Sequence, residues 1–351
     1  MRLHLLGRTG LRVSELCLGA MTFGEARGDW GASPEESRSL FDTFVDAGGN
    51  FVDTANGYQL GQSETLLGEF LQGQRDQFVV ATKYSLGARE STDANASGNH
   101  RKSMMQGIEG SLRRLKTDHI DLYWMHAWDG LTSDEEVMRG LDDLVRSGKV
   151  QYIGISDTPA WVISRSQAIA ELRGWTQLAA IQLNYNLTER TAERELLPMA
   201  SDLGLSVAVW GALAGGVLSG KYRRGKPAGE GRLSDPTFRD RGLTERNHDI
   251  VDVLIDVAAE LDATPAQAAL SWLRAQSPLL IPIVGARTSE QLRGNLKGLS
   301  ITLSDEHRRR LDDVSRPVLG FPHDFLASPA ISSLVEGQFG QRLRARRRGS
   351  F

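Results

Sequence analysis

The chain contains one cysteine, Cys17, in 351 residues, which excludes an internal disulfide and any cluster of thiolate metal ligands. Its setting, Leu16-Cys17-Leu18, reads as a small buried apolar residue rather than a reactive thiol. No apolar run approaches the ~20 residues that a membrane span needs. The opening Met1-Arg2-Leu3-His4-Leu5-Leu6-Gly7-Arg8 breaks into charge and glycine too soon for a signal sequence, so a cytoplasmic location is expected. Charge of neither sign dominates: 41 Lys and Arg stand against 44 Asp and Glu, a net charge of -3. Such a balance gives no long-range attraction for polyanions, and nucleic acid is not an expected partner. The seven histidines show no His-Glu-x-x-His spacing, so no metal site is expected.

What is present is a regular alternation. Met1 to Val13 reads as a hairpin around Gly7-Arg8-Thr9-Gly10, placed to plug the closed end of a barrel. A first inner strand follows at Glu15 to Gly19, and further strand-like runs centre on Phe51, Val79, Leu122, Ile153, Ile181, Val207 and Ile281. Helical spacing separates them, as in the segment opened by Ser33-Pro34-Glu35-Glu36, and in Met104 to Leu115, Ser133 to Ser147, Pro159 to Arg173 and Thr188 to Leu203. Eight strand-helix units predict an α/β fold, a single (β/α)8 TIM barrel over residues 1–316, with a C-terminal extension over 317–351. A doubly wound sheet is the alternative, but its G-x-G-x-x-G turn is missing from Gly19-Ala20-Met21-Thr22-Phe23-Gly24. Tyr84 to Asn99, Lys221 to Arg246 and the tail after Pro317 resist regular assignment. Long loops at strand ends form pocket walls.

Four polar residues fall at or just beyond strand ends. Asp53 closes Phe51-Val52-Asp53 with Tyr58 five residues on, Lys83 ends Val79-Val80-Ala81-Thr82-Lys83, and His126 follows Ile120 to Met125. A phenol has an unperturbed pKa near ~10 and is a poor acid at neutral pH. A neighbouring lysine stabilises its phenolate, an aspartate holds that lysine, and a histidine can hydrogen-bond the phenol or a substrate oxygen. Such a set can protonate a carbonyl oxygen as hydride reaches its carbon.

These residues resemble the aldo-keto reductases from about Met1 to Ser315, in the order Gly49-Asn50-Phe51-Val52-Asp53-Thr54-Ala55 with Tyr58, Ala81-Thr82-Lys83 and Met125-His126-Ala127-Trp128-Asp129. The resemblance continues through Gly154-Ile155-Ser156-Asp157, Ile181-Gln182-Leu183-Asn184-Tyr185, Val209-Trp210-Gly211-Ala212-Leu213-Ala214-Gly215-Gly216 and Ile281 to Arg287. It implies Asp53, Tyr58, Lys83 and His126 as a catalytic tetrad and NADPH/NADP+ as cofactor, laid across the barrel mouth without a Rossmann domain. By the same resemblance Ser156, Asp157 and Gln182 meet the carboxamide, Trp210 stacks on nicotinamide, and Gly211, Leu213, Gly216, Ser219 and Lys221 follow the pyrophosphate. Gly285, Arg287, Gln291 and Asn295 belong to the adenosine end, where Arg287 can grip a 2′-phosphate.

The chain departs from the family at Asp157, where asparagine is usual, and at Gly294, where many relatives carry glutamate. Met21, Phe23 and Trp128 are candidates for the wall of a pocket taking a small-molecule carbonyl substrate, with core packing as the other reading. Trp30 and Trp210 could also simply pack between strands and helices, the other reading of Trp210 being the nicotinamide platform. The resemblance extends to potassium-channel beta subunits, so a cofactor-binding regulatory subunit is the alternative function. The expected absence of a long N-terminal extension favours the enzyme. The basic run Arg342 to Arg348 reads as a solvated end.

Overall fold

The structure is a computed structural model that describes residues 1–28, 31–87, 93–224 and 242–337. Two short strands, β1 (Leu3–Leu5) and β2 (Arg12–Ser14), pair antiparallel as the predicted hairpin, with His4 opposite Val13. Eight parallel strands then close into a barrel: β3 (Cys17–Gly19), β4 (Phe51–Asp53), β5 (Val79–Tyr84), β6 (Ile120–Met125), β7 (Val150–Ser156), β8 (Ala180–Asn184), β9 (Ser206–Trp210) and β10 (Leu280–Val284). Closure is made by β10 against β3, where Ile283 stands opposite Cys17.

Two apolar layers follow from strand alternation. Inward residues, among them Cys17, Phe51, Ala81, Leu122 and Trp124, fill the barrel. The hairpin seals its N-terminal end with Leu6 and Val13, both fully buried in that same cluster, and Gly7 N donates to Ser206 Oγ over 2.7 Å. Outward residues such as Val52, Val80, Ile153 and Val207 pack against the helices. The first helix, α1 (Pro34–Asp46), starts where the sequence predicts: Ser33 Oγ accepts from Glu36 N at 3.2 Å and proline occupies the first turn. Its inner face carries Leu40, Phe41 and Phe44, with the Phe41 ring 5.2 Å from that of Phe78. Helices Arg101–Leu115, Asp134–Arg146 and Ala160–Arg173 match expectation within a turn.

Three predicted segments differ. The helix expected over Thr188 to Leu203 is a turn, a 3-10 segment Thr191–Glu193 and a helix only from Leu196 to Leu203. The Asn186 side chain takes the amide hydrogens of Thr188 and Glu189, which closes a turn in place of a helical start. The stretch before Arg246 already contains a helix, Glu245–Glu260, capped by Thr244 Oγ1, while 225–241 lie outside the described residues. The tail after Pro317 holds two short helices, His323–Leu326 and Pro329–Glu336. Trp30 and the basic run Arg342 to Arg348 lie outside the described residues. Among the described residues no helix is long and apolar enough to cross a membrane.

Candidate active site

Parallel pairing sets the site, because it brings the C-terminal ends of adjacent strands to one face. Asp53 on β4 stands opposite Ala81 on β5, and Lys83 on β5 opposite Trp124 on β6. Lys83 is fully buried and Asp53 nearly so. The Lys83 ammonium donates to Asp53 Oδ2 in a short ion pair, to the Thr54 carbonyl at 2.8 Å and to the Tyr58 hydroxyl at 3.1 Å. All three of its protons are thereby used. The other carboxylate oxygen of Asp53 accepts from Trp124 Nε1 and from Gln182 Nε2, both at 3.0 Å. His126 stands edge-on to the Tyr58 ring, with centroids 5.7 Å apart.

The electrostatics follow from burial. Burial pulls the Lys83 ammonium down, but the Asp53 carboxylate and the Tyr58 phenol outweigh it and raise the group above the ordinary lysine range. It is a permanent cation. Burial pushes the Tyr58 phenol up, Lys83 offsets only part of this, and Asp53 adds to it. Lys83 lowers the phenol as expected, but desolvation and the paired carboxylate outweigh it, so the net shift is upward. His126 is held down to about 3 by burial and by the Lys83 charge, so its imidazole is neutral at physiological pH and keeps one N–H to donate.

Backbone geometry fixes Tyr58. The residues after it, Gln59, Leu60 and Gly61, all have positive φ, at 47°, 56° and 91°, a rare sequence of left-handed positions for two side-chain-bearing residues. This reversal turns the chain out of the site and into helix Gln62–Phe70. Gln59 Oε1 and Gln62 Oε1 accept backbone amides of Arg27 and Glu25, both at 2.8 Å, tying the first strand-helix loop to this turn.

Further residues named from sequence surround the mouth. Asp157 has φ +42°, and its Oδ1 accepts from Trp210 Nε1 at 2.9 Å. The carboxylate that replaces the usual asparagine thus meets an indole N–H, which needs only an acceptor. Trp210 is 38% exposed, a large aromatic surface left open at the end of β9. Gly211, Gly215 and Gly216 follow with φ of +70°, +63° and +102°, and Ser219 Oγ donates to Gly216 O at 2.7 Å. Lys221 lies beside Gly216 and over the Tyr222 ring, and Leu213, within the glycine run, is half-buried. Ser156 is buried at the end of β7. After strand β10, adjacent to β9, Arg287 is exposed beyond Gly285, and its amide donates to Gln291 Oε1 at 3.1 Å. Asn295 is half-buried on the same helix, and open space surrounds Gly294, with no atom within 4 Å of a Cβ built there. The open indole, the left-handed glycine run and this space fit an extended dinucleotide. Among the described residues no group of side chains could hold a metal ion.

The three pocket candidates separate. Phe23 is fully buried, its ring 6.1 Å from that of Phe70, so it is a core residue and lines no opening. Met21 is half-buried next to it. Trp128 does line a cavity of about 510 Å³ beside the mouth, with Leu86, Asn99, Asp129 and Leu131, and meets Trp161 edge-on at 5.8 Å. Asp129 organises that wall. Burial alone would raise its carboxyl, but hydrogen bonds from Thr132, Asn99 and Leu131 hold it at about 2.

One neighbour, Trp124, and one contact, that of Gln182 with Asp53, escape sequence reading. Trp124 sits inside the barrel with its indole on Asp53, and its six-membered ring lies where a Cβ at Gly154 would be, 2.3 Å away. The glycine in Gly154-Ile155-Ser156 therefore makes room for the tryptophan that holds Asp53. Gln182, expected at the carboxamide, also turns an amide hydrogen to Asp53.

A phenol joined to a buried ammonium at the mouth of a closed parallel barrel is an arrangement that can give a proton to a bound oxygen. Residues 15–316 match the family model described as Aldo/keto reductase family. The chain is similar to norsolorinic acid reductase stcV of Emericella nidulans, 40% identical over 90% of this chain and 82% of that protein. It is also similar to an aryl-alcohol dehydrogenase [NADP(+)] of Phanerodontia chrysosporium, 38% identical over 90% and 86%. Aldo-keto reductase ausK of Aspergillus calidoustus is 37% identical over 98% and 92%. The chain belongs to the aldo/keto reductase family.

Proposed function

We propose that the protein is an NADPH-dependent oxidoreductase that reduces aldehydes or ketones to alcohols, with Tyr58 as the general acid. The observation that carries this reading is the Lys83 ammonium, buried and shared between Asp53 and the Tyr58 hydroxyl. Asp53 keeps the ammonium charged and in place, and Trp124 and Gln182 keep Asp53 oriented. As the phenol gives its proton to a substrate oxygen, the adjacent cation stabilises the phenolate left behind. Neutral His126 can donate a hydrogen bond to the same oxygen without adding a competing acid.

NADPH supplies the hydride in this reading. Trp210 offers the face for the nicotinamide, the Gly211 to Gly216 run and Ser219 the course of the pyrophosphate, and Arg287 the charge for the 2′-phosphate. A relative named for aryl alcohols, together with Trp128 and Leu131 beside the mouth, makes aryl aldehydes the first substrates to test. Oxidation of NADPH by the purified chain, dependent on an added carbonyl compound, is the expected result. Tight NADPH binding with no turnover on aryl aldehydes, simple ketones or keto sugars would refute the enzyme and favour a cofactor-binding regulatory subunit.

A further inference from the structure

We infer that Asn186, a residue outside the set assigned above, is the positioning residue that fixes the Trp210-Gly211 segment for dinucleotide binding, an inference that rests on the cofactor reading just given. Asn186 is 2% exposed and lies in the loop after β8. Its Nδ2 donates to the Gly211 carbonyl at 2.9 Å and to Asn184 Oδ1 at 3.2 Å. Its Oδ1 accepts from Thr188 N and Thr188 Oγ1, both at 2.8 Å, and from Glu189 N at 3.1 Å. One buried amide thus spends one proton on the neighbouring loop at Gly211, the other on Asn184 of its own segment, and its oxygen on the turn that follows it.

The contact decides the direction of a peptide plane. The Gly211 carbonyl also accepts from Ala214 N at 2.7 Å, so both its lone pairs are taken. A trans peptide sets N–H opposite C=O, and anchoring this carbonyl on Asn186 turns the Ala212 amide the other way. The approach is close enough to require glycine: φ is +70°, and a Cβ at Gly211 would stand 2.7 Å from Asn184 Oδ1. Immediately before it, the Trp210 indole is fixed by Asp157. The segment is therefore clamped at both ends by strands other than its own, from β7 through Asp157 and from β8 through Asn186. A loop ordered before the ligand arrives spares the cost of ordering it on binding.

Asn186→Asp tests this at nearly constant shape. It keeps an oxygen for the Thr188 and Glu189 amides but sets an acceptor against the Gly211 carbonyl and Asn184 Oδ1. Fluorescence titration of the full chain with NADPH is expected to show affinity reduced by about tenfold or more, the scale of losing a buried hydrogen bond. Carbonyl KM and kcat at saturating NADPH should stay within about threefold, since the tetrad is untouched. Thr188→Val, which removes a partner of Oδ1 but nothing at Gly211, should leave NADPH affinity within about twofold. If the aspartate variant fails to fold, Asn186→Ser, which keeps a short acceptor and withdraws the donor from Gly211, should show the same loss. Wild-type affinity in the Asp or Ser variant, or an equal loss in Thr188→Val, would overturn the inference while leaving the cofactor reading intact. Failure of the wild-type chain to bind NADPH would overturn both.

Discussion

Replacing His126 by glutamine should make the protein more resistant to mild acid, although the residue lies in the candidate active site. The imidazole is held at about 3 in the folded chain against an ordinary 6.5, by burial and by the Lys83 ammonium. The unfolded chain therefore takes up a proton near pH 6.5 that the folded chain refuses until about 3. His126 imposes no penalty above pH 6.5, and stability is lost progressively as pH falls from there towards 3. Each unit is worth 1.36 kcal/mol, so 1.5 units below the ordinary value, at pH 5, the loss is about 2 kcal/mol. Glutamine does not titrate. Urea unfolding of both proteins at pH 7 and pH 5 measures the effect as a difference of differences. The wild type should lose about 2 kcal/mol more than His126→Gln between the two pH values. Parallel losses, equal within about 0.5 kcal/mol, would refute a neutral, desolvated His126.

Other expectations follow from the same geometry. In the cofactor-free chain the tyrosinate difference spectrum between wild type and Tyr58→Phe should show no step below pH 10, because burial and Asp53 together outweigh Lys83 at this phenol; a step between pH 7 and 8 would contradict that balance. Gly154→Ala should cost about 1–3 kcal/mol through overpacking, and should lower kcat as well, since the Trp124 ring must leave the place where it donates to Asp53. Melting and turnover measured together check this, and an unchanged kcat would show that the Trp124 contact is dispensable.

The barrel was legible because strands covered on both faces read as short apolar runs, and each tetrad residue lies at or just past the end of one. The hairpin was equally plain from its glycine turn. What stayed hidden depends on which side chain fills which space. No spacing rule joins Trp124 to Gly154 across two strands, or turns Gln182 towards Asp53. Phe23 could not be placed, since an aromatic after a strand packs inward or lines a mouth with the same local pattern; Phe70 drew it into the core. The helix expected from Thr188 failed because the Asn186 side chain competes for the amides that would have begun it. The net direction at the Tyr58 phenol sets burial against a neighbouring charge, a comparison that needs coordinates.

The central claim is that Tyr58 donates the proton in carbonyl reduction. The direct test is NADPH consumption with an aryl aldehyde by wild type and Tyr58→Phe, alongside fluorescence titration of both with NADPH. Turnover should fall by about two orders of magnitude or more, the usual worth of a positioned general acid, while NADPH affinity stays within a few-fold. Full activity in Tyr58→Phe, with a wild type that turns over, would contradict the assignment.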